Sequence, residues 1–109
     1  MSRNDGATFY KSKRWEMLRE TVLRRDGYMC QVSKRYGKRV PATYVHHIFP
    51  RELFPQYQWQ AWNLISLCAS EHDKMHQRSG RKLTDKGKEL ARRTALKQGL
   101  DYEELEKLL

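Results

Sequence analysis

Thiols are scarce in this chain. Its two cysteines, Cys30 and Cys68, are too few for a disulfide scaffold, and they read as reduced thiols packed in the core. Acid is short as well. Against 22 Lys+Arg there are 13 Asp+Glu, a formal net charge of +9 and a pI of about 9.8. Such a balance points to a polyanionic partner, with nucleic acid ahead of an anionic membrane. Long hydrophobic runs are missing: none approaches the roughly 18 residues needed to cross a bilayer, and no signal-peptide pattern opens the chain. No membrane association is therefore expected, and a cytoplasmic location is. Repeats and low-complexity segments are also absent. The 109 residues suffice for one small domain, whose core at that size is only marginally self-sufficient.

What is present is concentrated. Residues 1–80 hold 14 Lys+Arg against 7 Asp+Glu, and residues 81–109 hold 8 against 6. All four histidines fall in the more basic part, in Val45-His46-His47-Ile48-Phe49-Pro50 and Glu71-His72-Asp73-Lys74-Met75-His76. Histidine titrates near neutrality and ligates metals through a neutral ring nitrogen. An adjacent pair and a second pair four apart read as a metal-assisted catalytic site.

In chain order, Met1–Thr8 is polar and reads as a frayed end. Ser12 can cap a helix over about 13–26, with Trp15, Leu18, Val22 and Leu23 on one face and Asp26-Gly27 as its stop. Tyr28–Val45 reads as a turn and hairpin carrying a basic loop, Ser33–Arg39. An alternating stretch, Val40–Ile48, suits a strand, with pairing held off by Pro41 and the strand broken by Pro50. Arg51–Trp62 is an aromatic loop or short helix, and Leu64–Leu67 a short strand able to pair with 43–48. A helix with Ser70 as N-cap runs to about Arg78 and stops at Ser79-Gly80. Thr84-Asp85 caps another that ends at Gln98 before Gly99, although Gly87 weakens its interior. Asp101 caps a short final helix. This makes a single α+β domain: 1–12 a flexible N-terminus, 13–80 the core, 81–109 a C-terminal helical extension.

Two geometric rules divide the histidines. On a helix, His72 and His76 point the same way. At a strand end, His46 and His47 point to opposite sides, so only one of them can join the helix pair around a metal. The other is left to act as a base.

From Trp15 to His76 the chain resembles the HNH endonuclease family. The family pattern of an acidic or histidine residue, then histidine, asparagine and a helix histidine is matched by His46, His47, Asn63 and His72. The flanking segments Arg25-Asp26-Gly27-Tyr28-Met29-Cys30-Gln31 and Asn63-Leu64-Ile65-Ser66-Leu67-Cys68 match too. The resemblance implies a ββα-metal core, here with an N-terminal helix and added C-terminal helices, that hydrolyses DNA to a 5′ phosphate and a 3′ hydroxyl. His47 would be the general base, and Asn63 would hold the loop that orients it. His46 and His72 would hold a divalent metal, with His76 a third ligand or a phosphate contact.

The chain departs from that pattern twice. Where many relatives have aspartate, His46 supplies a softer ligand, shifting preference from Mg²⁺ toward Zn²⁺, Ni²⁺ or Mn²⁺. Where many relatives close a structural zinc with two Cys-x-x-Cys pairs, the four positions here are Cys30, Ser33, Cys68 and Glu71. No structural zinc is expected, and the two cysteines should be packed neighbours. Arg24, Arg25, Lys34, Arg35, Lys38, Arg39, Arg51 and Lys74 are candidate nucleic-acid contacts to the phosphate backbone, so low sequence specificity follows. A non-catalytic nucleic-acid-binding module and an RNA-directed nuclease are the alternatives. The resemblance further implies a phage origin, with action beside a DNA-packaging complex, or a bacterial one.

Overall fold

The computed structural model describes residues 5–78 and 82–109. Its helices are α1 (Asp5–Lys11), α2 (Lys13–Arg25), α3 (Gln31–Arg35), α4 (Ala69–Asp73), α5 (Asp85–Gln98) and α6 (Tyr102–Glu106). Between α3 and α4 lie two antiparallel strands, β1 (Tyr44–His47) and β2 (Leu64–Leu67), whose connection makes two 3₁₀ turns at Pro55–Tyr57 and Ala61–Asn63. Tyr44 pairs with Leu67, Val45 with Ser66, His46 with Ile65 and His47 with Leu64. Among the described residues no helix is long and apolar enough to cross a membrane.

A two-stranded ribbon is marginal alone, so helices pack on both its faces. Val45 and Leu64 join Phe9, Trp15, Leu18, Val22 and Trp59 in one apolar cluster. Ile65 and Leu67 belong to the other, built with Cys30, Phe49, Phe54, Cys68, Met75, Leu83, Leu90, Ala91 and Ala95. Period-two alternation thus sends the two halves of each strand into different cores.

The outer edge of β2 is closed by side chains. The Arg25 guanidinium donates to the carbonyls of Ala61 (2.9 Å) and Leu64 (2.7 Å) and chelates Asp26. Asp26 in turn accepts from the Ser66 amide at 3.0 Å. An unpaired strand edge invites pairing with another chain, and this Arg-Asp pair satisfies it locally.

Three elements differ from the sequence reading. The N-terminal segment, expected to be frayed and flexible through residue 12, forms α1 from Asp5 onward. Seven residues cannot hold a helix in water by themselves; Phe9 anchors it, 7% exposed and stacked on Trp59 with ring centroids 4.3 Å apart. Burying one such ring is worth about 1.5–3 kcal/mol. The basic stretch expected as a loop holds α3, a single helical turn or so whose start is tied by the Cys30 amide to the Val40 carbonyl at 2.7 Å. Finally, the helix expected over 70–78 ends at Asp73. Beyond it Thr84 takes over the exposed backbone: its hydroxyl donates to the Lys74 carbonyl (2.5 Å) and its amide to that of Met75 (2.9 Å). His76 then bridges to Leu83 in β fashion, and the cap of this helix is Cys68 rather than Ser70. Ser79 and Gly80, expected to end it, lie outside the described residues.

The C-terminal helices match their sequence signals more closely. The Thr84 hydroxyl accepts from the Gly87 amide at 3.1 Å, and Gly99 leaves α5 with φ of 71°. Gly87, unfavourable to a helix by propensity, is required by packing. A Cβ there would lie 2.5 Å from the Met75 carbonyl oxygen and 3.1 Å from Leu83 Cβ. Gly87→Ala should therefore lower the melting temperature despite the better helix former. With about 1–3 kcal/mol of overpacking at roughly 4–8 °C per kcal/mol, thermal unfolding should show a drop of about 5–20 °C. An unchanged or higher melting temperature would remove this account of the glycine.

Cys30 and Cys68 are both buried in the cluster that receives Leu83, Leu90, Ala91 and Ala95. The Cys68 sulfur sits 3.5 Å from the Ser70 hydroxyl and 3.9 Å from that of Ser33. Glu71 faces two lysines instead, Lys86 at 2.6 Å and Lys74 at 3.2 Å. Lys86 belongs to α5, so the C-terminal extension is clasped where relatives with a complete cysteine quartet would hold zinc.

Candidate metal centre and catalytic pocket

The last two residues of β1 part company as strand geometry requires. His46 turns toward α4 and His47 toward α1 and α2. The His46 ring lies 5.5 Å from His72 and 5.1 Å from His76, centroid to centroid, and those two are 5.7 Å apart. One nitrogen from each of His46, His72 and His76 falls within 4.8 Å of the other two. His76 reaches this group from the bridge after α4, not from the helix itself, because the chain straightens while keeping its imidazole on the same side.

Three properties fit these rings to a divalent cation. His46 Nε2 and His76 Nδ1 are buried and have no hydrogen-bond partner, and an orphaned buried polar nitrogen costs about 1–3 kcal/mol. Burial drives the His46 pKa well below the usual imidazole range, and His76 and His72 beside it add to that push. His72 is lowered too, by burial first and then by His76. Neutral rings are the ligand form. Three protein nitrogens with the remaining positions open are the donor set of a catalytic rather than a structural site. Tyr44 stacks on His72 at 4.5 Å and 12°, holding that ring in place.

His47 stands apart from this trio. Its Nε2 lies 3.1 Å from the Gln58 carbonyl oxygen. A carbonyl only accepts, so Nε2 carries the proton and Nδ1 keeps a lone pair. The ring lies nearly flat on Trp15, at 5.3 Å and 21°. Burial lowers its pKa, the Gln58 bond opposes that, and the Arg51 charge lowers it further. An oriented, neutral imidazole with a bare Nδ1 is equipped to accept a proton near neutral pH.

Asn63 has no exposed surface. Its Oδ1 accepts from the Phe49 amide (2.8 Å), and its Nδ2 donates to the carbonyls of Phe49 (3.1 Å) and Tyr57 (3.2 Å). The amide ties the exit of β1 to the aromatic loop that carries Gln58. No other uncharged side chain of this size offers donors and acceptor in that arrangement.

A hollow of about 250 Å³ joins the two halves of the site, lined by His46, His47, His72 and His76 together with Tyr10, Arg51 and Glu52 among others. Tyr10 and Glu52 were absent from the sequence reading. Tyr10 arrives on α1, and the available signal was the aromatic pair Phe9-Tyr10 directly before the Ser12 cap. Of the candidate nucleic-acid contacts, Arg51 alone lines this hollow; it is 7% exposed and lies over the Phe9 ring at 4.5 Å. Arg24, Arg25, Lys34, Lys38 and Arg39 line a separate depression of about 440 Å³, with Arg35 beside them at the end of α3. Arg25 is held by the β2 edge as described, and Lys74 is paired with Glu71.

This arrangement, two strands and a short helix around a cluster of histidines with an asparagine-braced loop, is the ββα-metal fold. Among solved structures, the chain is similar to the HNH endonuclease of the deep-sea thermophilic bacteriophage GVE2, crystallised with a manganese ion. The two are 34% identical, with a TM-score of 0.62 over 64% of this chain and 76% of the phage protein. The chain belongs to the HNH endonuclease family. No protein-family model matches it, and no curated protein matches it significantly.

Proposed function

We propose that the protein is a metal-dependent endonuclease that hydrolyses DNA phosphodiester bonds with low sequence specificity. The observation that carries this reading is the split at the end of β1. A proton acceptor with a fixed tautomer, His47, stands beside a trio of converging histidines across one small hollow. His47 Nδ1 takes the proton of the attacking water, and the Gln58 carbonyl stabilises the imidazolium that forms. Asn63 holds the loop bearing that carbonyl. His46, His72 and His76 would hold one divalent ion, which when bound supplies positive charge to the phosphate oxygens. A three-imidazole donor set favours Mn²⁺, Ni²⁺ or Zn²⁺ over Mg²⁺, which prefers oxygen ligands. Arg51, at the wall of the hollow, is placed to meet the phosphate next to the cut.

The deciding experiment is cleavage of supercoiled plasmid with Mn²⁺, Ni²⁺, Zn²⁺ and Mg²⁺ in parallel, beside a chelator control. Nicking or linearisation is expected with at least one of the first three and none with chelator. DNA binding without cleavage under every metal would leave a binding module in place of a nuclease. A structured RNA cut faster than the plasmid would redirect the substrate assignment.

A further inference from the structure

A second hollow, of about 640 Å³, shares no lining residue with the histidine hollow. It runs along the outer edge of β2, between α3 and α5. Lys34 and Arg35 stand on the α3 side, and Lys86, Arg93 and Lys97 on the α5 side. Asp26, the acid in its lining, is already engaged by Arg25 and the Ser66 amide. Among the described residues Lys34, Arg35 and Lys97 have no acidic partner within ion-pair distance, while Lys86 and Arg93 share theirs with Glu71 and Glu89. Between these walls the floor is apolar and partly aromatic, formed by Trp62, Ile65 and Leu90, with Tyr36 at the rim, 70% exposed.

Cations on both walls over an aromatic floor suit a chain of phosphates with unstacked bases between them. A duplex turns its phosphates outward and its bases inward, so it could touch the rim but could not reach the floor. The length is suitable too. At about 1.5 Å of rise per residue, Lys86 to Lys97 spans roughly 16 Å, room for a short run of phosphates.

We propose that the groove between α3 and α5 binds a single strand of nucleic acid, giving the domain a second contact outside its catalytic hollow. This rests on the nuclease reading and names its substrate class: DNA with an unpaired stretch beside the duplex that is cut. Sequence is not read there, since the walls offer charge and the floor offers stacking surface.

The test combines Lys34→Ala, Arg93→Ala and Lys97→Ala in one protein and uses Lys97→Glu alone as a second variant. Binding of a fluorescent oligothymidylate is measured by anisotropy over a range of salt, with chelator present so that nothing is cut. Three lost phosphate contacts should reduce the slope of log affinity against log salt by about 2, at roughly 0.7 per contact for single strands. The single-strand affinity should fall at least 10-fold, with a smaller loss for Lys97→Glu. Duplex binding should fall less. An unchanged slope in both variants overturns the proposal, as does an equal loss on a duplex of the same length. Those results leave the nuclease reading intact if the wild type still cuts plasmid; a wild type that neither binds nor cuts overturns both.

Discussion

His47→Ala should reduce plasmid cleavage by about 10²–10⁴-fold, the usual contribution of a positioned general base, while the protein still folds, binds Mn²⁺ and binds DNA. The expectation follows from separation. Among the described residues His47 makes its hydrogen bond to Gln58 and its ring contacts to Phe9, Tyr10 and Trp15, on the face of β1 away from the other three histidines. Its removal therefore costs packing in the smaller cluster but leaves the metal trio intact. Cleavage rate, melting temperature and the Mn²⁺-induced rise in melting temperature should be read on the same preparation. A rate loss with the other two preserved is the signature of a base. Partial recovery with added imidazole would strengthen it, since a small base could occupy the vacated space. A variant that cuts at the wild-type rate would assign the proton transfer elsewhere, with Glu52 the next titratable group on that wall.

His46→Ala should have a different profile and remove most of the response to metal. Of the three histidines that converge, His46 is the most buried, at 2% exposed, and its Nε2 has no hydrogen-bond partner among the described residues. Adding Mn²⁺ at about 100 times its dissociation constant should stabilise the wild type by about 2.7 kcal/mol, or roughly 10–20 °C for a domain of this size. In His46→Ala that rise should shrink to a few degrees, with affinity lower by at least about 100-fold and cleavage lost with it. The metal-free variant should melt close to the metal-free wild type, because the alanine removes an unsatisfied buried nitrogen as well as a ring. An undiminished metal response would take His46 out of the ligand set.

Much of this arrangement was legible locally. Caps at Ser12, Thr84 and Asp101 each form the side-chain bond expected of them, because a cap depends on four residues and little else. The β1–β2 pairing followed from two short apolar strands. The opposite facing of His46 and His47 followed from strand alternation alone, and the order His46, His47, Asn63, His72 pointed to the family that the structural comparison shows. What escaped was whatever depends on residues distant in sequence. Met1–Thr8 is polar, but at the very next position Phe9 finds Trp59 and Trp15, and Asp5–Lys11 is held as a helix that could not form alone. Arg25, read as a phosphate contact, spends its donors on a strand edge some forty positions downstream.

The sequence by itself determined the chemistry of the site: which side chains are present, which of the adjacent histidines faces which way, and that the second cysteine of each zinc pair is missing. Those are properties of residue type and local periodicity. Tertiary structure decided the rest. It ended α4 at Asp73 yet kept His76 against His46 by pairing it with Leu83. It brought Tyr10 and Arg51 to the wall of the histidine hollow, and set α5 across from α3 to open a basic groove along β2. The physical reason is common to all three: each is set by contacts between separate elements, Thr84 against the end of α4 or apolar side chains of distant segments against one another, and neither helix caps nor hydrophobic period carries that information.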